Sequence, residues 1–290
     1  MKKFCIITNS DKDIDFSTSK EIQKYIESQE RECVITRDLT LHAQEYDIYT
    51  DVSDIQDNTE CAIVLGGDGT IIQAANDLVH KDIPILGVNL GTLGFLAEIE
   101  KQNIIPALKS LFEDKCKIEE RMMLTGQIGR QGLGDFLGYA LNDIVISKRG
   151  LCRLITVKVY VNDELIDTYL GDGVIVSTPT GSTGYNLSAG GPVVVPGIKA
   201  MMITPICPHS LNNRCIVVSA DDKVVLELGK SKETQLDEGI AVFDGKIVSD
   251  LSTGDKIEIK KAKEVTKLVK ITDTSFFQLL RNKIGREKKV

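Results

Sequence analysis

The first 117 residues alternate short apolar runs with segments of helical periodicity. Apolar runs at 4–8, 61–65 and 83–89 predict three strands. Helical segments stand between and after them, and such alternation is typical of a parallel sheet covered by helices. We therefore expect an α/β domain with a parallel sheet over residues 1–117.

Helical periodicity is clear in three segments of this domain. Thr18-Ser-Lys-Glu21 matches a capping box that begins a first helix. Apolar residues from Ile71 to Val79 share one face of a second helix. A third helix follows from Ile104, and Pro106 stands in its first turn, where proline is tolerated.

After Lys117 the pattern becomes that of β-structure. Valines at 157, 159 and 161 alternate with polar residues, and Asn162-Asp163 predicts the turn of a hairpin. We expect a mostly antiparallel, sandwich-like β-rich domain over residues 118–273. A last amphipathic helix is predicted over 274–290, and it should pack back on the first domain.

Composition and charge narrow the class of protein. Apolar residues make up 42% and charged residues 27% of the 290, as in chains that bury a core. Thirty-five Lys and Arg stand against 42 Asp and Glu, a net charge of −7. Because nucleic-acid and membrane-surface proteins need a basic face, we expect neither partner.

Cysteine and histidine usage indicates a cytoplasmic protein with no metal site of its own. The seven cysteines form no CxxC and no zinc-type spacing, which is typical of reduced, mostly buried thiols. The charged start, Met1–Thr8, has too few apolar residues for a signal peptide. Three histidines without an HExxH motif predict no metal held by the protein alone.

The most informative segment is Gly66-Gly-Asp-Gly-Thr70, between a predicted strand and a predicted helix. Its glycines let the backbone approach a ligand, and N–H groups at a helix start suit phosphate. Asp68 stands at the carboxyl end of the strand, where open α/β sheets bind ligands. It could serve as general base for a hydroxyl, as a holder of Mg²⁺, or as a helix cap. The segment is neither a Walker A loop nor a GxGxxG fingerprint.

Two further glycine-rich segments follow other strands. Gly87–Leu96 places Asn89 at the same sheet edge as Asp68. Gly171–Pro192 combines Gly, Ser and Thr with Tyr185, and its hydroxyls offer hydrogen bonds to ribose or amide groups. Ordering so many small residues without a ligand-facing role would be costly.

These segments together resemble the bacterial-type NAD kinases. Six blocks stand in the family's order over residues 60–250: Gly66-Gly-Asp-Gly-Thr70, Asn89-Leu-Gly-Thr-Leu-Gly-Phe-Leu96, Leu141-Asn-Asp143, Gly171-Asp-Gly-Val-Ile-Val-Ser-Thr-Pro-Thr-Gly-Ser-Thr183, Asn186-Leu-Ser-Ala-Gly-Gly-Pro192 and Thr204-Pro-Ile-Cys-Pro-His-Ser-Leu211. The first block is shared with lipid kinases and phosphofructokinases, whereas the Pro-Thr-Gly-Ser-Thr and Pro-Ile-Cys-Pro-His blocks are much more specific.

The resemblance implies that ATP, with Mg²⁺ or another divalent cation, phosphorylates the adenosine 2′-hydroxyl of NAD to give NADP. In the family pattern Asp68 is the catalytic base. The phosphate loop comprises Gly66, Gly67, Gly69, Thr70 and Asn89. The residues that match NAD contacts are Asp68, Gly69, Asn142, Asp143, Arg153, Asp172, Thr183, Gly184, Tyr185, Asn186, Leu187, Ser188 and Lys246.

Three positions depart from the family pattern. Asp143 is one methylene shorter than the usual Glu, which reduces its reach. Gly184 replaces a common Ala and should loosen the loop. Lys246 replaces a frequent Gln; its cation would favour a phosphate, and a solvent-facing role is the alternative.

Two other functions share part of the pattern. A lipid or sugar kinase would use the same Gly-Gly-Asp-Gly-Thr loop, but the acidic charge and the lack of an amphipathic membrane segment count against a lipid kinase. A non-catalytic NAD(P)-binding sensor would not need the intact Asp68. Because NAD kinases commonly form homodimers or homotetramers, the resemblance also implies one of these oligomeric states.

Overall fold

The structure, a computed structural model, describes residues 1–36, 50–91, 94–129, 136–150, 153–210, 214–231 and 237–284. The chain forms two compact units, one of residues 1–120 and 266–290, the other of residues 121–265. Cys152, parts of two of the blocks quoted above (residues 92–93 and 211) and the last six residues of the predicted helix 274–290 lie outside the described residues.

The first unit contains a parallel sheet with helices. Its elements are β1 (Lys3–Thr8), α1 (Ser17–Ser28), β2 (Glu32–Ile35), β3 (Cys61–Gly66), α2 (Asp68–Asp77), β4 (Ile85–Asn89), β5 (Ile99–Glu100) and α3 (Ile104–Phe112). The order β2-β1-β3-β4 is parallel throughout, and β5 adds to β4. The α/β prediction and the helix with Pro106 in its first turn are confirmed.

The three predicted strands appear within two residues of their expected bounds. All six residues of β3 are buried, as expected of a strand covered on both faces. The strand predicted from residue 83 begins only at Ile85, because Pro84 has no N–H to donate and Asp82 adopts a φ of 53°. Side chains of β1, β3 and β4 form one core with those of α1 and α3.

The capping box predicted at Thr18–Glu21 is wrong. Helix α1 already includes Thr18, and its first N–H groups are bonded by Asp13 instead, with Thr18 N at 2.8 Å and Ser19 N at 3.1 Å from the carboxylate. Burial alone would raise the pKa of Asp13, but the hydrogen bonds from Ser19 and Thr18 outweigh it, so the pKa lies below its usual value.

The second unit is built of antiparallel strands. The elements that follow α3 are β6 (Lys117–Gly129), β7 (Phe136–Ala140), β8 (Asp143–Lys148), β9 (Ile155–Val161), β10 (Glu164–Gly171), β11 (Gly173–Ser177), α4 (Tyr185–Ser188), β12 (Ala200–Ile206), β13 (Ile216–Ser219), β14 (Val224–Leu228), β15 (Glu238–Phe243), β16 (Lys246–Ser252), β17 (Lys256–Lys270) and α5 (Phe276–Ile284). Strand β6 begins and β17 ends in the first unit, which also contains α5.

Two sheets of the second unit share one apolar core. Strands β13-β12-β11-β8-β15-β16 form one antiparallel sheet, and β10-β9-β14-β17 are neighbours in the other. The core combines side chains such as Ile146 and Val174 of the first sheet with Val157 and Leu226 of the second. The sandwich-like prediction is therefore confirmed. The predicted hairpin turn is also confirmed, with Asn162 and Asp163 both at positive φ between β9 and β10.

The last helix packs on the first unit, as predicted, with Phe276 of α5 against Phe95, and so does the segment that precedes it. Leu268 pairs in parallel with Ile85 of β4. The buried Glu98 carboxylate accepts the N–H groups of Ile271 and Thr272 at 2.8 and 2.6 Å and also binds Lys270. In the described part of the chain, no helix is both long enough and apolar enough to span a membrane.

We expect Glu98→Ala to destabilise the protein by about 3 kcal/mol, because it leaves two backbone N–H groups and the Lys270 ammonium without their carboxylate. Chemical denaturation would measure the free energy of unfolding. Glu100→Ala, on an exposed side chain of the same segment, is the control and should change the free energy of unfolding by less than about 0.5 kcal/mol. Equal stability of the two variants would contradict this role of Glu98.

Candidate active site

The loop between β3 and α2 places Asp68 at the first residue of the helix. Gly66 is required by close packing, because a Cβ there would lie 2.2 Å from Thr70 Oγ1. At Gly69 a Cβ would meet no atom within 4 Å, and this residue is exposed. The first turn of a helix leaves N–H groups without partners in the helix, so the loop offers donors to an anion.

The Asp68 carboxylate is held by the segment that follows β4. Phe95 N donates to Oδ2 at 2.7 Å and Leu96 N donates to Oδ1 at 3.1 Å. A Cβ on Gly94 would lie 1.7 Å from Oδ1, so only glycine leaves room for the carboxylate. Gly94 was not singled out from the sequence, although it is the last glycine of its segment. Asp68 is therefore bonded across two loops rather than acting as a simple helix cap.

The Asn89 side chain stabilises the second loop, and its amide is not offered to a ligand. The side chain is buried, its Nδ2 donates to Gly91 O at 2.7 Å, and its Oδ1 accepts Gly91 N at 3.1 Å. Leu90 N donates to Gly66 O at 3.2 Å. The structure thus brings the two predicted glycine-rich loops of the first unit together.

A lysine beside the loop of residues 66–70 was not predicted from the sequence. Lys12 Nζ lies 3.4 Å from where a Cβ on Gly67 would stand. The turn that carries it is fixed by hydrogen bonds from Lys12 N to the backbone and side-chain oxygens of Asn9. A lone Lys in a loop after the first strand gives no sequence signal, because only the fold places it beside Gly67.

In the second unit, Asn142 and Asp143 line a pocket of about 410 Å³ together with Tyr185. Burial raises the pKa of Asp143 to about 7, and the nearby carboxylate of Asp244 adds to the effect. Asn142 Oδ1 is buried and has no hydrogen-bond partner. These residues match the predicted dinucleotide contacts, and the structure places them side by side.

The loop that follows β11 is ordered by its own side chains. Thr178 Oγ1 donates to Leu141 O at 2.6 Å, and Ser182 Oγ donates to Pro179 O at 2.7 Å. Both side chains are buried, so the interpretation of these two hydroxyls as ligand-facing is wrong. Asn186 is also buried; its Nδ2 donates to Pro192 O at 3.2 Å and its Oδ1 accepts from Thr204 at 2.6 Å.

The remaining predicted loop residues differ in exposure. Tyr185, Leu187 and Ser188 are exposed on α4, and Thr183 is half-buried. A Cβ on Gly184 would stand 3.6 Å from Asn142 Nδ2, which places this glycine against the predicted Asn142–Asp143 pair.

Three of the charged residues predicted to contact the dinucleotide, Arg153, Asp172 and Lys246, are not among the residues that line the pocket. Asp172 pairs with Lys148 at 2.6 Å, and its charge contributes, after burial and Cys207, to a raised pKa of Tyr185. Arg153 is exposed just before β9, and Lys246 is half-buried at the start of β16. The pocket thus joins Asn142, Asp143 and Tyr185 of the predicted set.

We expect Asp143→Asn to stabilise the protein at pH 8. Because the folded protein binds the Asp143 proton more tightly than the unfolded chain, the wild type loses stability as pH rises from about 4 to about 7. The variant has no charge to bury, so its melting temperature should exceed that of the wild type by a few degrees at pH 8 and by less at pH 5. Asp57→Asn, on an exposed ion pair with Lys81, is the control. A pH-independent difference would contradict the buried, titrating carboxyl.

Comparison with known proteins gives consistent matches over both units. Residues 4–116 match the ATP-NAD kinase N-terminal domain, and residues 141–271 match the ATP-NAD kinase C-terminal domain. An NAD kinase of Lachnoclostridium phytofermentans is 51% identical over 98% of this chain and 99% of its own length. An NAD kinase of Lachnospira eligens is 43% identical over 98% of this chain and 100% of its own length.

Solved structures show the same fold. A yeast NADH kinase complexed with NADH superposes with a TM-score of 0.87 at 23% identity, covering 100% of this chain and 89% of the yeast chain. An NAD kinase from Archaeoglobus fulgidus in complex with ATP gives a TM-score of 0.75 at 25% identity and covers 98% of both chains. These matches confirm the resemblance seen in the sequence and support an NAD kinase activity, a phosphotransfer to NAD. The chain belongs to the NAD kinase family.

Proposed function

We propose that the enzyme transfers the γ-phosphoryl group of ATP to the adenosine 2′-hydroxyl of NAD, with Asp68 as general base. The observation that carries this proposal is the fixed Asp68 carboxylate beside a glycine-rich helix start. Each carboxylate oxygen accepts one backbone N–H and keeps a lone pair for a further donor. A substrate hydroxyl is such a donor.

In the proposed reaction, the 2′-oxygen attacks the γ-phosphorus while its proton passes to the Asp68 carboxylate. A bond forms between the 2′-oxygen and phosphorus, the bond from phosphorus to the β,γ-bridging oxygen breaks, and ADP leaves. Phosphoryl transfer depends mainly on positioning and charge stabilisation. The rigid attachment of Asp68 to Phe95 and Leu96 supports the positioning part.

The negatively charged phosphates are proposed to bind at the loop of residues 66–70 and at Lys12. The first backbone N–H groups of a helix are donors that suit an anion, and the exposed Gly69 leaves room for it to approach the start of α2. Lys12 brings a positive charge to the same loop, against the net charge of −7 of the whole chain. We infer that Gly66, Gly67, Gly69, Thr70 and Lys12 form the phosphate site, with Asn89 shaping it.

The divalent cation is proposed to arrive with ATP. Within the described ranges, no group of three or more His, Cys, Asp or Glu residues could hold a metal ion. A single carboxylate, Asp68, fits an ion whose other ligands are phosphate oxygens and water. When bound, Mg²⁺ would neutralise charge that develops on the β- and γ-phosphates.

The dinucleotide is proposed to contact the Asn142–Asp143 pair and the exposed face of α4. The unpartnered Asn142 Oδ1 supports a ligand at this place, and the exposed Tyr185, Leu187 and Ser188 leave side chains free for contact. Asn186 would act by holding the loop, since its amide is bonded inside the protein. Arg153, Asp172, Thr183, Gly184 and Lys246 stay predictions from the family pattern.

The cellular location and the oligomeric state of the protein also stay predictions. The six cysteines in the described ranges are all free thiols, which is typical of proteins in a reducing compartment. We propose a cytoplasmic enzyme on that ground. A homodimer or homotetramer is proposed from the family resemblance.

Asp68→Asn should lower turnover by roughly 10²–10⁴-fold, because the amide keeps the shape but cannot accept the proton. NAD affinity should stay within a few-fold of the wild type. Turnover is measured by NADP formation and affinity by calorimetry. Asp77→Asn, at the other end of α2, is the matched control and should retain wild-type turnover.

Turnover of the Asp68 variant within a few-fold of the control would contradict the base assignment. Loss of NAD binding together with turnover would instead make Asp68 a binding residue.

A further inference from the structure

Asp244 lies in the turn between β15 and β16 and bonds to the segment that carries Asn142 and Asp143. Its Oδ2 accepts Leu141 N at 2.7 Å, and its Oδ1 accepts the N–H groups of Asn142 and Asp143 at 2.8 and 2.9 Å. In return, Asp244 N donates to Asp143 O at 3.0 Å. One carboxylate therefore receives three successive backbone donors.

The turn itself is suited to this task. Asp244 has a φ of 49° and Gly245 a φ of 83°, the conformation of a tight two-residue hairpin. Asp tolerates the left-handed region better than most residues, and Gly adopts it freely. The hairpin thus directs the carboxylate back onto residues 141–143.

The opposite side of the same segment is held by the loop after β11. Asn142 O accepts Thr178 N at 2.8 Å, and Leu141 O accepts Thr178 Oγ1 at 2.6 Å. A Cβ on Gly181 would stand 2.2 Å from Asn142 O, so the loop packs directly against the segment. With donors bound by Asp244 and acceptors bound by the loop, the backbone of residues 141–143 has little freedom to rotate.

The side chains that this backbone presents line the pocket of the second unit. Asn142, Asp143 and Tyr185 share it with Asp244 and Gly245. Asn142 Oδ1 is buried in the protein without a partner, which is costly unless a ligand donates to it. The position of that oxygen, and of the Asp143 carboxyl, depends on where the backbone is fixed.

We propose that Asp244 is a positioning residue for dinucleotide binding: its carboxylate fixes residues 141–143 and so directs the Asn142 and Asp143 side chains at NAD. This inference rests on the proposed function, which makes those two side chains NAD contacts. Asp244 acts through them and takes no part in the chemical step.

The charge of Asp244 also predicts an effect on the pH dependence of NAD affinity, which a purely structural role would not produce. The charge of Asp244 adds to burial in raising the pKa of Asp143 to about 7. Among the described residues, Tyr185 of α4 also faces this side; Cys207 and Asp172 act on Tyr185, and Asp172 pairs with Lys148. An ionised Asp143 accepts hydrogen bonds from NAD, so NAD affinity of the wild type should rise as pH increases through about 7.

The test compares NAD affinity by calorimetry from pH 5.5 to 8.5 in the wild type, Asp244→Asn and Asp244→Glu. Asn at 244 removes the charge and one of the acceptors, because its NH₂ would face a backbone N–H. We expect affinity at pH 8 to fall about tenfold, as for a lost charge-assisted hydrogen bond, and the midpoint of the pH dependence to move to lower pH. With saturating NAD, kcat should stay within a few-fold of the wild type.

Asp244→Glu separates position from charge and also covers the case in which the Asn variant does not fold. It keeps the charge but moves the carboxylate by one methylene, so affinity should fall while the midpoint stays near that of the wild type. Asp255→Asn is the matched control, since Asp255 accepts Ser252 N at 2.8 Å in the turn at the other end of β16. It should leave both affinity and midpoint unchanged.

The outcomes distinguish this inference from the function on which it rests. If neither Asp244 variant changes NAD affinity relative to the Asp255 control while Asp143→Ala weakens it, the positioning role is wrong and the proposed function stands. Equal losses of affinity and kcat with an unmoved midpoint in Asp244→Asn would make Asp244 a fold determinant only. If the wild type does not bind NAD, or Asp143→Ala binds it normally, the proposed contacts themselves are wrong.

Discussion

The hydrogen bonds from Phe95 and Leu96 to the Asp68 carboxylate are the interaction on which the chemistry of the first unit depends. They fix a charged group at the start of a helix and leave acceptor capacity on both oxygens. A flexible aspartate in this loop could turn away from a substrate hydroxyl. The close approach of Gly94 makes the arrangement specific, because no other residue leaves space for the carboxylate.

Helix α5 and the segment before it support the loop that binds Asp68. Phe276 of α5 packs on Phe95 with ring centroids 6.0 Å apart, and Lys283 lies over the same ring. A few residues farther on, Glu98 bonds to the backbone of Ile271 and Thr272. Residues nearly two hundred positions away in sequence thus restrain the loop that places the proposed base. This explains why the first unit includes the last helix.

Both units contain an aspartate whose carboxylate fixes a loop through backbone hydrogen bonds. In each, a carboxylate accepts successive backbone N–H groups from another loop: Asp68 from residues 95 and 96, Asp244 from residues 141–143. In the first case the carboxylate itself is the proposed reactive group. In the second, the carboxylate fixes neighbours that contact the ligand. Backbone donors bound in this way are satisfied and cannot compete for substrate oxygens.

Local patterns predicted much of this structure, and long-range contacts were the part they missed. Apolar runs and helical periodicity placed the strands and helices of the first unit, because each is set by neighbouring residues. The Gly66–Thr70 loop was recognisable because strand, glycines and helix follow one another directly. Four features depend on residues that only folding brings together. They are the capping by Asp13, the space required at Gly94, the hydrogen bonds of Asp244 to residues 141–143 and the position of Lys12. Buried hydroxyls at 178 and 182 were misread because composition does not tell whether a hydroxyl bonds to ligand or to its own loop.

The most direct test of the central claim, that the position of the Asp68 carboxylate controls phosphoryl transfer, is the turnover of Gly94→Ala. The added methyl would overlap Asp68 Oδ1, and a displacement of about 1 Å can cost roughly 10²-fold in rate. We predict such a loss in NADP formation, with NAD affinity unchanged by calorimetry and a cooperative melt retained. Gly197→Ala, where a Cβ meets no atom within 4 Å, controls for the substitution itself. A folded Gly94→Ala enzyme that turns over within a few-fold of Gly197→Ala would contradict the claim.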